Sequence, residues 1–112
     1  TGDDVMIGGF IIGGSETRHL ALRAIGPSLA AAGLTTPMLA PVLELHDQNG
    51  VLMEANDTWK EHQAEVEAIG LAPNDDRESV IVTTLSPGSY TAIVRSANGL
   101  TGVALVEAYD IP

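Results

Sequence analysis

Several runs along this chain are apolar or alternate between apolar and polar residues, with turn residues such as glycine, proline and asparagine between them. Side chains two residues apart share a strand face, so such runs predict strands with one buried face. Val5 to Ile12 is an apolar strand that contains Gly8-Gly9 and ends at Gly13-Gly14. Arg18 to Ile25 alternates cleanly, with Leu20, Leu22 and Ala24 on the core face and His19, Ala21 and Arg23 opposite. Gly26-Pro27 breaks it. Ser28 to Pro41 reads as a loop with one helical turn near Leu29 to Ala32. Val42 to Asp47 turns Leu43 and Leu45 inward and Glu44 and His46 outward. Through Gln48-Asn49-Gly50 it forms a hairpin with Val51 to Ala55.

The period then changes. Glu61, Glu65 and Glu67 interleave with Ala64, Val66, Ala68 and Ile69, which predicts one short amphipathic helix stopped by Gly70. Glu78 to Leu85 is apolar on both faces and is therefore expected at the centre of a sheet. Ser86-Pro87-Gly88 leads to the last two strands, Ser89 to Ala97 and Thr101 to Ile111, with Asn98-Gly99 between them. Asn-Gly suits the positive φ angles of a tight primed turn, so these two are expected to form a hairpin. Seven strands joined by short turns, with no repeated helices, predict an all-β fold. The expected architecture is an antiparallel two-sheet β-sandwich with jelly-roll or immunoglobulin-like layering. Residues 1–112 form one domain, with 1–4 linker-like and 5–12 a candidate exchanged terminal strand.

Composition narrows the function. The chain has 112 residues, 45% of them hydrophobic but only 4% aromatic, so the core is aliphatic. Fifteen acidic residues against five basic ones give a net charge of -10. Such a surface repels phosphate backbones and anionic membranes, which excludes nucleic acid as the natural partner. No apolar run approaches the length needed to span a bilayer. The absence of cysteine excludes a thiol nucleophile, a disulfide framework and a zinc-thiolate site. The first residue is Thr1, and a processed product or an excised piece is expected.

Several motifs recur together in a known arrangement. Asp3-Asp4-Val5-Met6-Ile7-Gly8-Gly9-Phe10-Ile11-Ile12 is followed by Leu22-Arg23-Ala24-Ile25-Gly26-Pro27-Ser28-Leu29 and Leu43-Glu44-Leu45-His46-Asp47. Then come Asn56-Asp57-Thr58-Trp59, Leu85-Ser86-Pro87-Gly88-Ser89-Tyr90-Thr91 and Gly102-Val103-Ala104-Leu105-Val106-Glu107. In this order they resemble a β-sandwich repeat module of large bacterial secreted and surface proteins. The Pro-Gly-Ser-Tyr turn and strand are also loosely similar to the bacterial pre-peptidase C-terminal domain type. The resemblance implies a non-catalytic, extracellular or cell-surface module. Modules of this kind often carry a further apolar stretch ahead of the Thr-Gly-Asp-Asp motif, which leaves open whether this chain completes its own sheet or borrows a strand.

Candidate sites are few. Trp59, the sole tryptophan, is either a sugar-stacking platform or a lid on one end of the sandwich. Asp47, Asn49, Asn56 and Asp57 flank one hairpin and are candidate calcium ligands, as are Asp75 and Asp76 with Asn74 and Glu78 in a second acidic loop. The competing reading is turn chemistry, in which Asx side chains bond nearby backbone. Asn56-Asp57-Thr58 fits the glycosylation pattern at Asn56. His19, His46 and His62 stand at no metal-ligand spacing and read as bystanders. Ser15 lies outside any nucleophile motif, so no catalytic residues are assigned and no enzyme is expected. No cofactor is expected beyond the calcium candidates. The glycine pairs make neither a dinucleotide fingerprint nor a P-loop.

The terminal strand is the sharper feature. Val5, Met6, Ile7, Phe10, Ile11 and Ile12 could pair with the open edge of a neighbour. The leading expectation is a self-associating structural subunit or repeat of an extracellular filament or surface assembly. Its partners would be copies of itself or neighbouring modules. The alternative is a carbohydrate- or calcium-binding accessory module of a secreted enzyme, with glycan as partner.

Overall fold

The computed structural model describes residues 5–33, 37–96 and 104–111, the side chains of residues 5–7, 31 and 32 aside. Seven strands lie in it: β1 Val5–Ile12, β2 Arg18–Ile25, β3 Pro41–His46, β4 Leu52–Asn56, β5 Ser79–Leu85, β6 Gly88–Ser96 and β7 Leu105–Asp110. One sheet has the order β1-β6-β3-β4 and the other β5-β2-β7, with every pair antiparallel. The two sheets face each other, as expected for a β-sandwich.

Between them lies an aliphatic core. Leu20, Leu22 and Ala24 of β2 and Ile81 and Leu85 of β5 meet Leu43 and Leu45 of β3 and Ala92 and Val94 of β6. Phe10 and Tyr90, paired across β1 and β6, stack with ring centroids 5.7 Å apart at the margin of this core. The Tyr90 hydroxyl donates to the Ser86 carbonyl and fixes the β5–β6 connection.

The alternation read from sequence is obeyed in β3, and in β2 Leu20, Leu22 and Ala24 reach the core although Ala21 on the opposite face is fully buried too; the β3–β4 hairpin forms. Two expectations fail. The last two strands are not a hairpin: β6 lies between β1 and β3, whereas β7 pairs with β2 in the opposite sheet. Both sides of β6 are taken by continuous ladders, so none is left for β7. Ala92 and Val94 of β6 and Val106 of β7 reach the core from opposite sheets. The Asn98-Gly99 step lies outside the described residues, as does the linker-like 1–4 segment. Ser86-Pro87-Gly88 likewise leads from one sheet to the other.

Secondly, β5 is an edge strand rather than a central one. Its two apolar faces have different causes. Ile81 and Leu85 enter the main core, while Val80 and Val82 on the outer face are covered by Trp59, Val66 and Ala72. That cover is a 3₁₀ turn, Trp59–His62, running into the helix α1, Gln63–Ala68. Gly70, at φ 75, ends α1 in a Schellman arrangement, with Leu71 N–H on the Val66 carbonyl and Gly70 N–H on that of Glu67.

Candidate functional site

The β4/β5 side of the sandwich is closed by a buried polar clasp. Gly26-Pro27-Ser28 opens a second 3₁₀ turn, Pro27–Ala32, whose first amides have no partner within it. Glu78, fully buried at the start of β5, supplies the acceptors. Its Oε2 accepts from the N–H of Gly26 and of Ser28, both at 2.9 Å, and its Oε1 accepts from Ser28 Oγ. Gly26 can only be glycine, because a Cβ there would lie 2.0 Å from the Met38 carbonyl oxygen. Beside it, buried Ser79 donates to the Pro41 carbonyl.

Asn56 and Trp59 extend the clasp. Asn56 is buried, and its Oδ1 accepts from Val80 N–H on the outer edge of β5. Its amide nitrogen points to Glu61. Trp59 is 5% exposed, donates its indole N–H to the Asp75 carbonyl, and gives its backbone N–H to that of Glu78. Lys60 lies over the ring, 4.6 Å from its centroid. The indole is thus packed at this end of the sandwich.

In the two acidic loops, Asp47 and Asp75 bond nearby backbone amides. Asp47 accepts from the N–H groups of Asn49 and Val51, the Asx pattern that shapes the β3–β4 turn around Gly50. Asp75 accepts from the backbone and guanidinium of Arg77, which hold its carboxyl below the usual range. Asn49, Asp57 and Asp76 are exposed at the surface. Among the described residues, no three acidic or histidine side chains converge as metal ligands.

On the outer face of the four-stranded sheet, Glu44 joins His46 and Arg95. His46 Nε2 lies 2.9 Å from Glu44 Oε1, and Arg95 donates to both Glu44 oxygens. His46 Nδ1 faces the Gly50 carbonyl at 3.2 Å. Both ring nitrogens therefore meet acceptors, which favours the imidazolium. The contact with Glu44, then the Gly50 carbonyl, raises the His46 pKa, and the same contact with His46 lowers that of Glu44. The pairing with Glu44 was not visible in histidine spacing. The alternation that put both side chains on one face was its available signal. On the other sheet, Arg23 pairs with Glu107, contacts the Tyr109 hydroxyl and reaches the Leu71 carbonyl.

The four sheet edges differ in how they are guarded. Edge strands template further pairing unless charge, brevity, a bulge or a cover blunts them. β5 is covered by α1 and its Val80 amide is taken by Asn56. β4 has five residues, a register shift at Leu45/His46 and an inward Glu54, although Val51, Leu52 and Met53 stay exposed at its start. Burial raises the Glu54 pKa, and its Oε2 has no hydrogen-bond partner. β7 carries Glu107 and Asp110. β1 has eight residues, no charge, no proline and an unbroken register from Val5 opposite Arg95 to Ile12 opposite Gly88. Ile11 on it is 77% exposed. A cavity of about 260 Å³ opens alongside, lined by Ile11, Ile12, Gly13, Arg18, Leu20 and Asp110. Of the expected assembly strand, Phe10 and Ile12 thus pack at the core margin and Ile11 faces solvent.

These elements define a two-sheet antiparallel β-sandwich in which, among the described residues, β1 is the edge without charge, bulge or cover. No family model and no curated protein matches the chain. Among solved structures it is similar to the pre-peptidase C-terminal domain of a collagenase from Bacillus anthracis, with a TM-score of 0.59. The match covers 97% of this chain and 80% of that one at 10% identity. The likeness establishes a shared fold, in line with the resemblance seen in the Pro-Gly-Ser-Tyr segment. No helix among the described residues is long and apolar enough to cross a membrane.

Proposed function

We propose that this chain is a non-catalytic structural module of an extracellular bacterial protein, and that it works by edge-to-edge association through β1. The observation that carries this reading is the contrast between β1 and the other three edges. An uncharged eight-residue edge is unusual on a chain with a net charge of -10. Main-chain hydrogen bonds along such an edge supply affinity, and the side chains that alternate along it supply register. The fold shared with a domain of a bacterial collagenase supports the extracellular setting.

The test is sedimentation velocity over a hundredfold concentration range. The unaltered chain is expected to associate. Ile11→Glu, at a site open to solvent, should abolish association without unfolding the domain. Met53→Lys on the β4 edge should leave it unchanged. Association that survives Ile11→Glu and disappears in Met53→Lys would move the interface to β4 and overturn the reading.

A further inference from the structure

The inner faces of β2 and β7 end in charge. Leu20 enters the core, Arg18 stands two residues before it on the same strand face, and Asp110 lies opposite Leu20 on β7. Alternation therefore turns both charged side chains toward the space between the sheets, where an apolar pair would continue the core. Arg18 Nη1 donates to Asp110 Oδ2 at 2.9 Å, and the two side chains remain 53% and 60% exposed. An ion pair so exposed adds little stability. It stands at the cavity of about 260 Å³ whose apolar lining is Ile11, Ile12 and Leu20. The sandwich is open on this side, for Gly8 of β1 and Ala108 of β7 lie on the inner faces and are both exposed.

We infer that this cavity is a binding site for an apolar α-amino acid in its zwitterionic form. Arg18 and Asp110 present a cation and an anion side by side, and the ligand carries the same two charges on neighbouring groups. Laid antiparallel to the pair, its carboxylate accepts from the guanidinium fork and its ammonium donates to Asp110. Arg18 has donors to spare. Among the described residues it gives one hydrogen bond, whereas Arg23 is held by Glu107, Tyr109 and Leu71. Arg77 and Arg95 each grip a carboxylate with two nitrogens. The ligand's side chain enters the cavity against Ile12 and Leu20. A zwitterion has no net charge, so a chain at -10 does not repel it as it would a simple carboxylate. Size points the same way, because 260 Å³ falls below the roughly 300–1,000 Å³ of pockets for drug-sized ligands.

The test is amide NMR of the isotope-labelled chain titrated with free leucine, at a dilution where the chain sediments as a monomer. That condition makes the outcome independent of association through β1. Leucine should shift the amides of Ile11 to Gly13, Arg18 and Asp110 saturably, with a Kd in the millimolar range. Glycine lacks the apolar side chain, leucinamide the carboxylate and N-acetylleucine the ammonium, and each should bind at least about tenfold more weakly. Arg18→Gln and Asp110→Asn, at exposed sites that the fold tolerates, should each weaken leucine at least about tenfold. Glu67→Gln, on the exposed face of α1, should leave the affinity unchanged. Leucinamide or N-acetylleucine binding as well as leucine would refute recognition of the zwitterion. The absence of any saturable shift, or leucine binding that survives both Arg18→Gln and Asp110→Asn, would overturn the site.

Discussion

Removing the Glu78 carboxyl should be among the most damaging single changes this domain can suffer. In Glu78→Ala the buried Gly26 N–H loses its acceptor, and the half-buried Ser28 N–H and hydroxyl lose theirs. An unsatisfied buried donor costs about 1–3 kcal/mol, and bonds to charged groups stand at the upper end of the range. Water can reach Ser28 in part, so its share is smaller. With the void left by the side chain, the total is about 3–5 kcal/mol. That is a large fraction of the roughly 5–15 kcal/mol by which a domain of this size is stable. It corresponds to a fall in Tm of roughly 15–20 °C.

Glu78→Gln separates acceptor geometry from charge. The glutamine carbonyl can keep both backbone donors, and its NH₂ can donate to Ser28 Oγ, which accepts as readily as it donates. Charge-assisted bonds become neutral ones, at a cost of about 1 kcal/mol. The assay is urea unfolding followed by fluorescence of Trp59, the sole tryptophan, which leaves a buried site on unfolding. The reasoning is refuted if Glu78→Ala lies within about 1 kcal/mol of the unaltered chain, since unpaired amides cannot be that cheap.

Gly26→Ala should destabilise by about 3 kcal/mol, because the new methyl overlaps the Met38 carbonyl and the backbone must move; the same urea assay reads it, and a loss under 0.5 kcal/mol would contradict the close approach. His46 should make stability depend on pH. Its folded pKa is raised above the ordinary 6.5, so its contribution is complete below pH 6.5 and is lost as pH rises through the folded value. Unfolding measured from pH 6 to 9 should show this decline in the unaltered chain and not in His46→Gln; a His46 ring titrating by NMR at or below 6.5 would contradict it.

What the sequence shows and hides follows from the range of the interactions. β1 and β2 begin and end where the alternation and its glycine breaks put them, because burial of one face is a local pattern. The β3–β4 hairpin is legible for the same reason, with Asp47 and Gly50 shaping its turn. Asn98-Gly99 misleads because a two-residue turn preference is weak beside the eight register pairs that join β1 to β6. In β5, Val80 and Val82 suggest a central strand, yet α1 and Trp59 provide the cover from sequence-distant positions. Glu78 reads as one more acid of a calcium loop. Its role depends on amides at Gly26 and Ser28, some fifty residues away, and nothing near it in the chain signals them. The bare edge, by contrast, is written in β1 itself as eight residues without a charge.

Residue-resolved hydrogen exchange at low and high protein concentration tests the central claim most directly. Amides of Val5 to Ile12 that face away from β6 should exchange quickly in dilute solution and slow at least about tenfold on concentration, while those of β4 and β7 stay unchanged. Uniform exchange along β1 at both concentrations, or slowing confined to Leu52 to Asn56, would contradict association through the β1 edge.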